Sequence, residues 1–144
     1  MSNGKPHSLV KPTVQMPFHI DFVWWQQNDS NWRIYLRSLL CADHQQAFSD
    51  WQEGQTIDWV DPHTAEVKPV DGLQHVLMSH CARQADFVTE HTALVEAVFR
   101  LFLTNGNAPM DAQELSARLN RPAETILRTL AGPRVYKGLR PCVA

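Results

Sequence analysis

At 144 residues, with 44% hydrophobic and 19% charged side chains and a formal net charge of −2, the chain has the make-up of an ordinary globular protein. That length suits one domain or two small subdomains sharing a core. The composition excludes a disordered or fibrous chain, and the small net charge names no partner. No apolar run nears the ~20 residues of a membrane span, and the first 17 residues lack the apolar centre of a secretory leader, so a cytoplasmic protein is expected, with no membrane partner.

In chain order, residues 1–17 are interrupted by Gly4, Pro6, Pro12 and Pro17 and carry no apolar period, which predicts an extended or mobile arm. The run FHIDFVWW at 18–25 alternates and then turns wholly apolar, as a short strand or hydrophobic anchor would. Asp29 or Ser30 can cap a helix whose face is Trp32, Tyr35, Leu36, Leu39 and Leu40, ending near Cys41. A short helix over 44–51 would group Ala47, Phe48 and Trp51 before Gly54. In TIDWVDPHTAEVKPVDG, Ile57, Trp59 and Val67 flank Asp61-Pro62-His63-Thr64, a hairpin signal.

Asp71 and Gly72 open a further helix with Leu73, Val76 and Leu77 inside, running to about His80. A long helix is predicted over 89–104 from Leu94, Val95, Val98, Phe99 and Phe102, closed by Asn105-Gly106. After a loop, Asp111 and Glu114 have the spacing of a capping box, and Ala112, Leu115 and Leu119 form the buried stripe of the helix that follows. Only Asn120-Arg121 separate it from Pro122, which is favoured at a helix start, and Ile126, Leu127 and Leu130 repeat until Gly132-Pro133. Two short helices with a tight turn cannot bury their apolar faces alone, and the 89–104 helix is the available third.

Charge is unevenly distributed. Residues 111–144 hold six basic and three acidic side chains, whereas residues 1–110 hold seven basic and twelve acidic ones. A polyanion would prefer the carboxy-terminal part.

The pattern from Asp111 to Leu130 resembles the helix-turn-helix family, in the winged form that appends a β-hairpin. The resemblance covers about a quarter of the chain. It implies a recognition helix at about 122–131, with Ala123, Glu124, Thr125 and Arg128 facing the major groove and Arg121 near a phosphate. It also implies a wing at about 134–140 offering Arg134, Lys137 and Arg140 to phosphates. Glu124 departs from a strongly basic reader, although a glutamate can accept from a cytosine amino group.

The expected function is therefore double-stranded DNA binding by a transcriptional regulator acting as a homodimer. The alternative is a non-enzymatic protein–protein adaptor reusing the same fold.

The odd cysteine count (Cys41, Cys81 and Cys142) argues against a disulfide framework. Cys41-Ala-Asp-His44 has the two-residue gap that lets two side chains share one ion, and His80-Cys81 could complete a set of two sulfurs and two nitrogens for structural zinc. Neighbouring residues in a regular element point apart, so His75 or His91 are alternatives. In the other reading the thiols are small buried apolar groups. Trp24, Trp25, Trp32, Trp51 and Trp59 are read as core, with base stacking, a ligand pocket or a dimer surface as other uses.

No nucleophile with a base, paired catalytic carboxylates or phosphate-cradling glycine loop is found, so no catalytic residue is expected. The predicted fold is mainly α (α+β): an arm at 1–17, a tryptophan-rich helical and hairpin subdomain at 18–88, and a winged helix-turn-helix at 89–144.

Overall fold

The computed structural model describes residues 12–47, 56–60 and 64–142. The order is β1 (Phe18–Ile20), α1 (Phe22–Asn28), α2 (Trp32–Ser38), α3 (Ala42–Ala47), β2 (Thr56–Val60), β3 (Val67–Asp71), α4 (Gly72–Ser79), a 3₁₀ turn at Cys81–Arg83, α5 (Leu94–Thr104), α6 (Ala112–Leu119), α7 (Ala123–Leu130) and β4 (Leu139–Pro141). The α+β expectation holds.

The strand predicted over 18–25 stops after three residues. Asp21 ends it because its carboxylate accepts the Trp24 N–H at 3.0 Å, so Phe22 onward coils into α1. Trp25 is fully buried and meets Trp32, Tyr35 and Phe99 edge-on, with ring centroids 5.4–6.0 Å apart. The aromatic cluster at the centre of the fold is thus built on Trp25 and Trp32, as the core reading expects, while Trp24 is half-buried under Arg140. Trp51 lies outside the described residues, as does the second half of the helix predicted over 44–51.

Asp29 does not cap α2 directly. It accepts from the Asn31 N–H and the Trp25 indole, and the helix begins at Trp32. The 12–17 stretch is not a free arm: Val14 and Met16 pack on the core, and the Val14 carbonyl accepts the Gln113 N–H at 3.4 Å. Residues 1–11 lie outside the described set.

The predicted hairpin is β2–β3, antiparallel from Thr56↔Asp71 to Val60↔Val67. Asp71 closes β3 and at once caps α4 by accepting the Gln74 N–H at 2.9 Å, while Arg33 of α2 pairs with its other oxygen. The long helix starts at Leu94 rather than Thr89, because Thr89 and Thr92 bond to each other and to the local backbone and hold 89–93 in a turn. Its Ala97, Val98, Phe99, Leu101, Phe102 and Leu103 are all buried, making α5 the central helix.

The predicted wing is absent from its expected place. Lys137 (φ 47°) and Gly138 (φ 79°) are the left-handed centre of a tight turn closed by the Leu139 N–H on the Tyr136 carbonyl at 2.8 Å, but residues 134–136 before it form no strand. The strand that follows, β4, pairs instead with β1, in the register Phe18↔Pro141 and Ile20↔Leu139. On β1's other edge, Phe18 and Met110 exchange backbone hydrogen bonds. The Asn107 side chain meets both backbone groups of Ile20 at 2.8 and 2.9 Å, completing the edge as a third strand would. β1 is therefore central, and one hydrophobic cluster runs from Phe18 to Leu139 across the 88/89 boundary. No helix among the described residues is long and apolar enough to cross a membrane.

Candidate functional sites

A Cys and His cluster forms where α2, α3 and the end of α4 meet. Leu39 closes α2, Cys41 follows, and its carbonyl accepts the Gln45 N–H at 2.8 Å, which puts Cys41 at the start of α3. His44 lies one helical turn on, so both side chains share a face. The separation of Cys41 Sγ and His44 Nδ1 is 3.1 Å.

His80 ends α4 with non-helical backbone (φ −128°, ψ −63°), and Cys81 begins the 3₁₀ turn. That turn is pinned to α5 because the Thr104 hydroxyl donates to the Ala82 carbonyl at 3.2 Å. The break brings the side chains of both residues to His44. Cys81 Sγ lies 3.5 Å from Cys41 Sγ and 3.6 Å from His44 Nδ1, and the His44 and His80 rings stand edge to face at 4.5 Å.

Three of the four residues proposed from sequence come together as a metal-capable set, and the Cys81 sulfur lies beside two of them, Cys41 and His44. Cys41, His44 and His80 offer donor atoms within 4.8 Å of one another, close enough to hold one metal ion. Cys81 is 1% exposed, Cys41 and His44 are half-buried and His80 is exposed. Burial pushes the Cys81 thiol up, so a divalent cation would be needed to hold it as thiolate. The alternative His91 is exposed beside Glu90, away from the cluster's own contacts.

The two short helices predicted after Asp111, with a tight turn between them, form as α6 and α7. Asp111 accepts the Glu114 N–H at 2.9 Å and Glu114 accepts the Asp111 N–H at 3.2 Å, closing the capping box. Asn120 takes the left-handed conformation that ends α6, and Ser116 Oγ donates to the Arg121 carbonyl across the turn. Pro122 is the residue before α7 rather than within it. Ile126, Leu127 and Leu130 are buried, while Glu124, Arg128 and Thr129 face outward, with Ala123 and Thr125 half-buried.

The basic residues separate into two groups. Arg128 and Arg134 are exposed, and so is Arg118, which sequence reasoning passed over although its place in the last turn of α6 made it a surface residue. Arg121, Lys137 and Arg140 are engaged within the molecule. Arg121 donates to the Thr92 carbonyl at 3.2 Å, Lys137 Nζ sits 4.4 Å from the centre of the Tyr35 ring, and Arg140 pairs with Asp21 at 3.0 Å.

A polar network not anticipated from sequence links α2, α5 and the segment after α7. The Glu96 carboxylate accepts from the Tyr35 hydroxyl at 2.5 Å, the Tyr136 hydroxyl at 2.9 Å and Arg100 Nε at 3.2 Å. Burial raises the Glu96 carboxyl, but these donors more than reverse that and hold it below the usual carboxylate range. Burial, reinforced by the Glu96 charge, pushes both phenols up. Only the four-residue spacing of Glu96 and Arg100 signalled any of this.

Comparison with protein-family models, curated proteins and solved structures yields no significant match, so the functional reading rests on these residues.

Proposed function

We propose that this protein binds duplex DNA through its α6–α7 helix-turn-helix, as a cytoplasmic transcriptional regulator, and that a zinc ion held by Cys41, His44, His80 and Cys81 braces the amino-terminal half. The observation that carries the DNA reading is the outer face of α7. Glu124, Arg128 and Thr129 lie on it free of the core, as a helix seated in the major groove requires, and Arg118 of α6 and Arg134 after α7 are exposed as well. The amino-terminal strand β1 supplies the pairing for β4 that a wing would otherwise provide. Two turns of helix reach only a few base pairs, so the protein acts as a homodimer on two half-sites.

The zinc reading rests on the donor chemistry. A tetrahedral ion with bonds of about 2.3 Å to sulfur and about 2.05 Å to nitrogen needs sulfur–sulfur and sulfur–nitrogen edges of about 3.8 and 3.6 Å. The observed edges are 3.5 Å for the sulfurs and 3.1 and 3.6 Å for sulfur to nitrogen. Two thiolates and one imidazole at these distances, with the His80 ring 4.5 Å from that of His44, suit zinc better than a harder cation. If Cys81 joins Cys41, His44 and His80 as the fourth donor, the site is closed and its role is structural.

The second reading, a protein–protein adaptor, is favoured by the internal use of Arg121, Lys137 and Arg140, which thins the basic face. One experiment separates them: titration of the full chain against random duplex DNA over a salt series, beside an Arg118/Arg128/Arg134 triple alanine variant. Affinity that falls steeply with salt and is lost in the variant supports DNA binding. No binding at low salt eliminates it and leaves the adaptor.

A further inference from the structure

We propose that the cysteine and histidine centre is also a site of oxidation, at which hydrogen peroxide joins Cys41 to Cys81 as a disulfide and so expels the metal. The inference rests on the zinc reading above. The two sulfurs stand 3.5 Å apart, in contact, on segments 40 residues distant in sequence. A disulfide needs them at about 2.05 Å.

Their surroundings give them different roles. Cys41 is half-buried at the α2–α3 joint and open to a small oxidant, whereas Cys81 is 1% exposed behind it. Cys41 therefore meets the peroxide first. Its thiolate attacks one peroxide oxygen, the O–O bond breaks, and hydroxide leaves to take a proton from solvent, so that Cys41 becomes a sulfenic acid. The Cys81 sulfur then attacks Cys41 Sγ, the S–O bond breaks, and a second hydroxide leaves and is protonated. Two thiolates have lost two electrons, one peroxide has become two waters, and one S–S bond has formed.

Neither sulfur is then an anionic ligand, and His44 and His80 alone make a poor site. The disulfide ties the start of α3 to the end of α4, as the metal did, so oxidation changes the charge and metal content of the centre without opening that joint. Cys142 provides an internal control. It follows β4, its N–H bonded to the Pro17 carbonyl at 2.9 Å, and is not among the residues of the metal-capable set.

The test uses the full chain as purified with its zinc. Metal content is measured first, then peroxide is added while released zinc is followed with a chromophoric chelator, remaining thiols are titrated and the disulfides mapped by mass spectrometry. The expected result is release of one zinc per chain, loss of two of the three thiols, a Cys41–Cys81 cross-linked peptide, and zinc uptake again after reduction. Cys142→Ser should behave as the parent, and Cys81→Ser should stop at oxidised Cys41 with no intramolecular disulfide.

Retention of zinc with all thiols intact would overturn the proposal. So would zinc release with Cys41 driven to sulfinic acid and no cross-link, or a disulfide that includes Cys142. Protein that never held metal would refute the zinc reading itself, and this inference with it. Metal bound but no cross-link would refute this inference alone.

Discussion

Gly138→Ala should destabilise the protein far more than Gly106→Ala, although the two glycines have nearly the same backbone. Gly138 has φ of 79° and Gly106 has φ of 75°. A side chain in that region costs about 1–2 kcal/mol at either position. The surroundings separate them. A Cβ at Gly106 meets nothing within 4 Å, whereas at Gly138 it lies 3.0 Å from the Asp21 carbonyl oxygen and 3.0 Å from Trp25 Cβ.

Neither neighbour can yield. The Asp21 N–H donates to the Gly138 carbonyl at 2.7 Å, and Trp25 is the fully buried centre of the aromatic cluster. Forcing a methyl into such a space costs about 2 kcal/mol more. The expected losses are about 1–2 kcal/mol for Gly106→Ala and about 3–4 kcal/mol for Gly138→Ala. The gap corresponds to roughly 6–8 °C in melting temperature for a chain of this size. Thermal and urea unfolding followed by circular dichroism would measure it. Equal losses at the two positions would show that the contact of Gly138 with Asp21 and Trp25 does not govern the join of β1 to β4.

Glu96→Gln should lower stability at pH 7 by about 1–2 kcal/mol, since the hydrogen bonds it weakens are made to a charged acceptor that is only partly exposed. Because the folded Glu96 carboxyl lies below its usual value, its contribution is complete above about pH 4.3 and is lost as pH falls through the folded value. Acid unfolding curves of parent and variant should therefore converge at low pH, and a constant offset would contradict the network. Removal of metal by a chelator should lower the melting temperature, and Cys41→Ser should emerge from gel filtration without zinc while Cys142→Ser retains it, as read by elemental analysis. Arg128→Ala should weaken duplex binding and reduce the salt slope by about one, whereas Arg140→Ala should leave the slope unchanged and cost about 0.5–1 kcal/mol of stability through lost pairing with Asp21. An unchanged slope in the first variant, or a reduced one in the second, would reverse the assignment of these two arginines.

The parts of the fold legible in sequence are those specified by neighbours. Asp111 with Glu114, Asp71 before Gly72, and the turn-prone residue types between Ile57 and Val67 are local signals, and the capping box, the α4 cap and the β2–β3 hairpin follow from them. The wing failed for the opposite reason. Alternation over Arg134 to Lys137 looks like a strand, but no strand forms before the turn at Lys137-Gly138, and β4 takes its partner from residues far away in sequence.

The candidate metal ligands were readable as residue types, but their convergence was not. It depends on the backbone break at His80, where His80 and Cys81, adjacent in sequence, both reach His44. Likewise, nothing near Arg121, Lys137 or Arg140 in the chain indicates that their partners are Thr92, Tyr35 and Asp21.

The central position of β1 has a consequence for biosynthesis. Ile20 waits for Leu139, 119 residues downstream, before its pairing is complete. At about 5–20 residues per second, that interval is on the order of ten seconds, during which β1 has only the Asn107 and Met110 edge to join, and even that edge arrives late. Chaperone dependence during synthesis, rather than spontaneous helix-by-helix assembly, is the behaviour such a long-range closure favours.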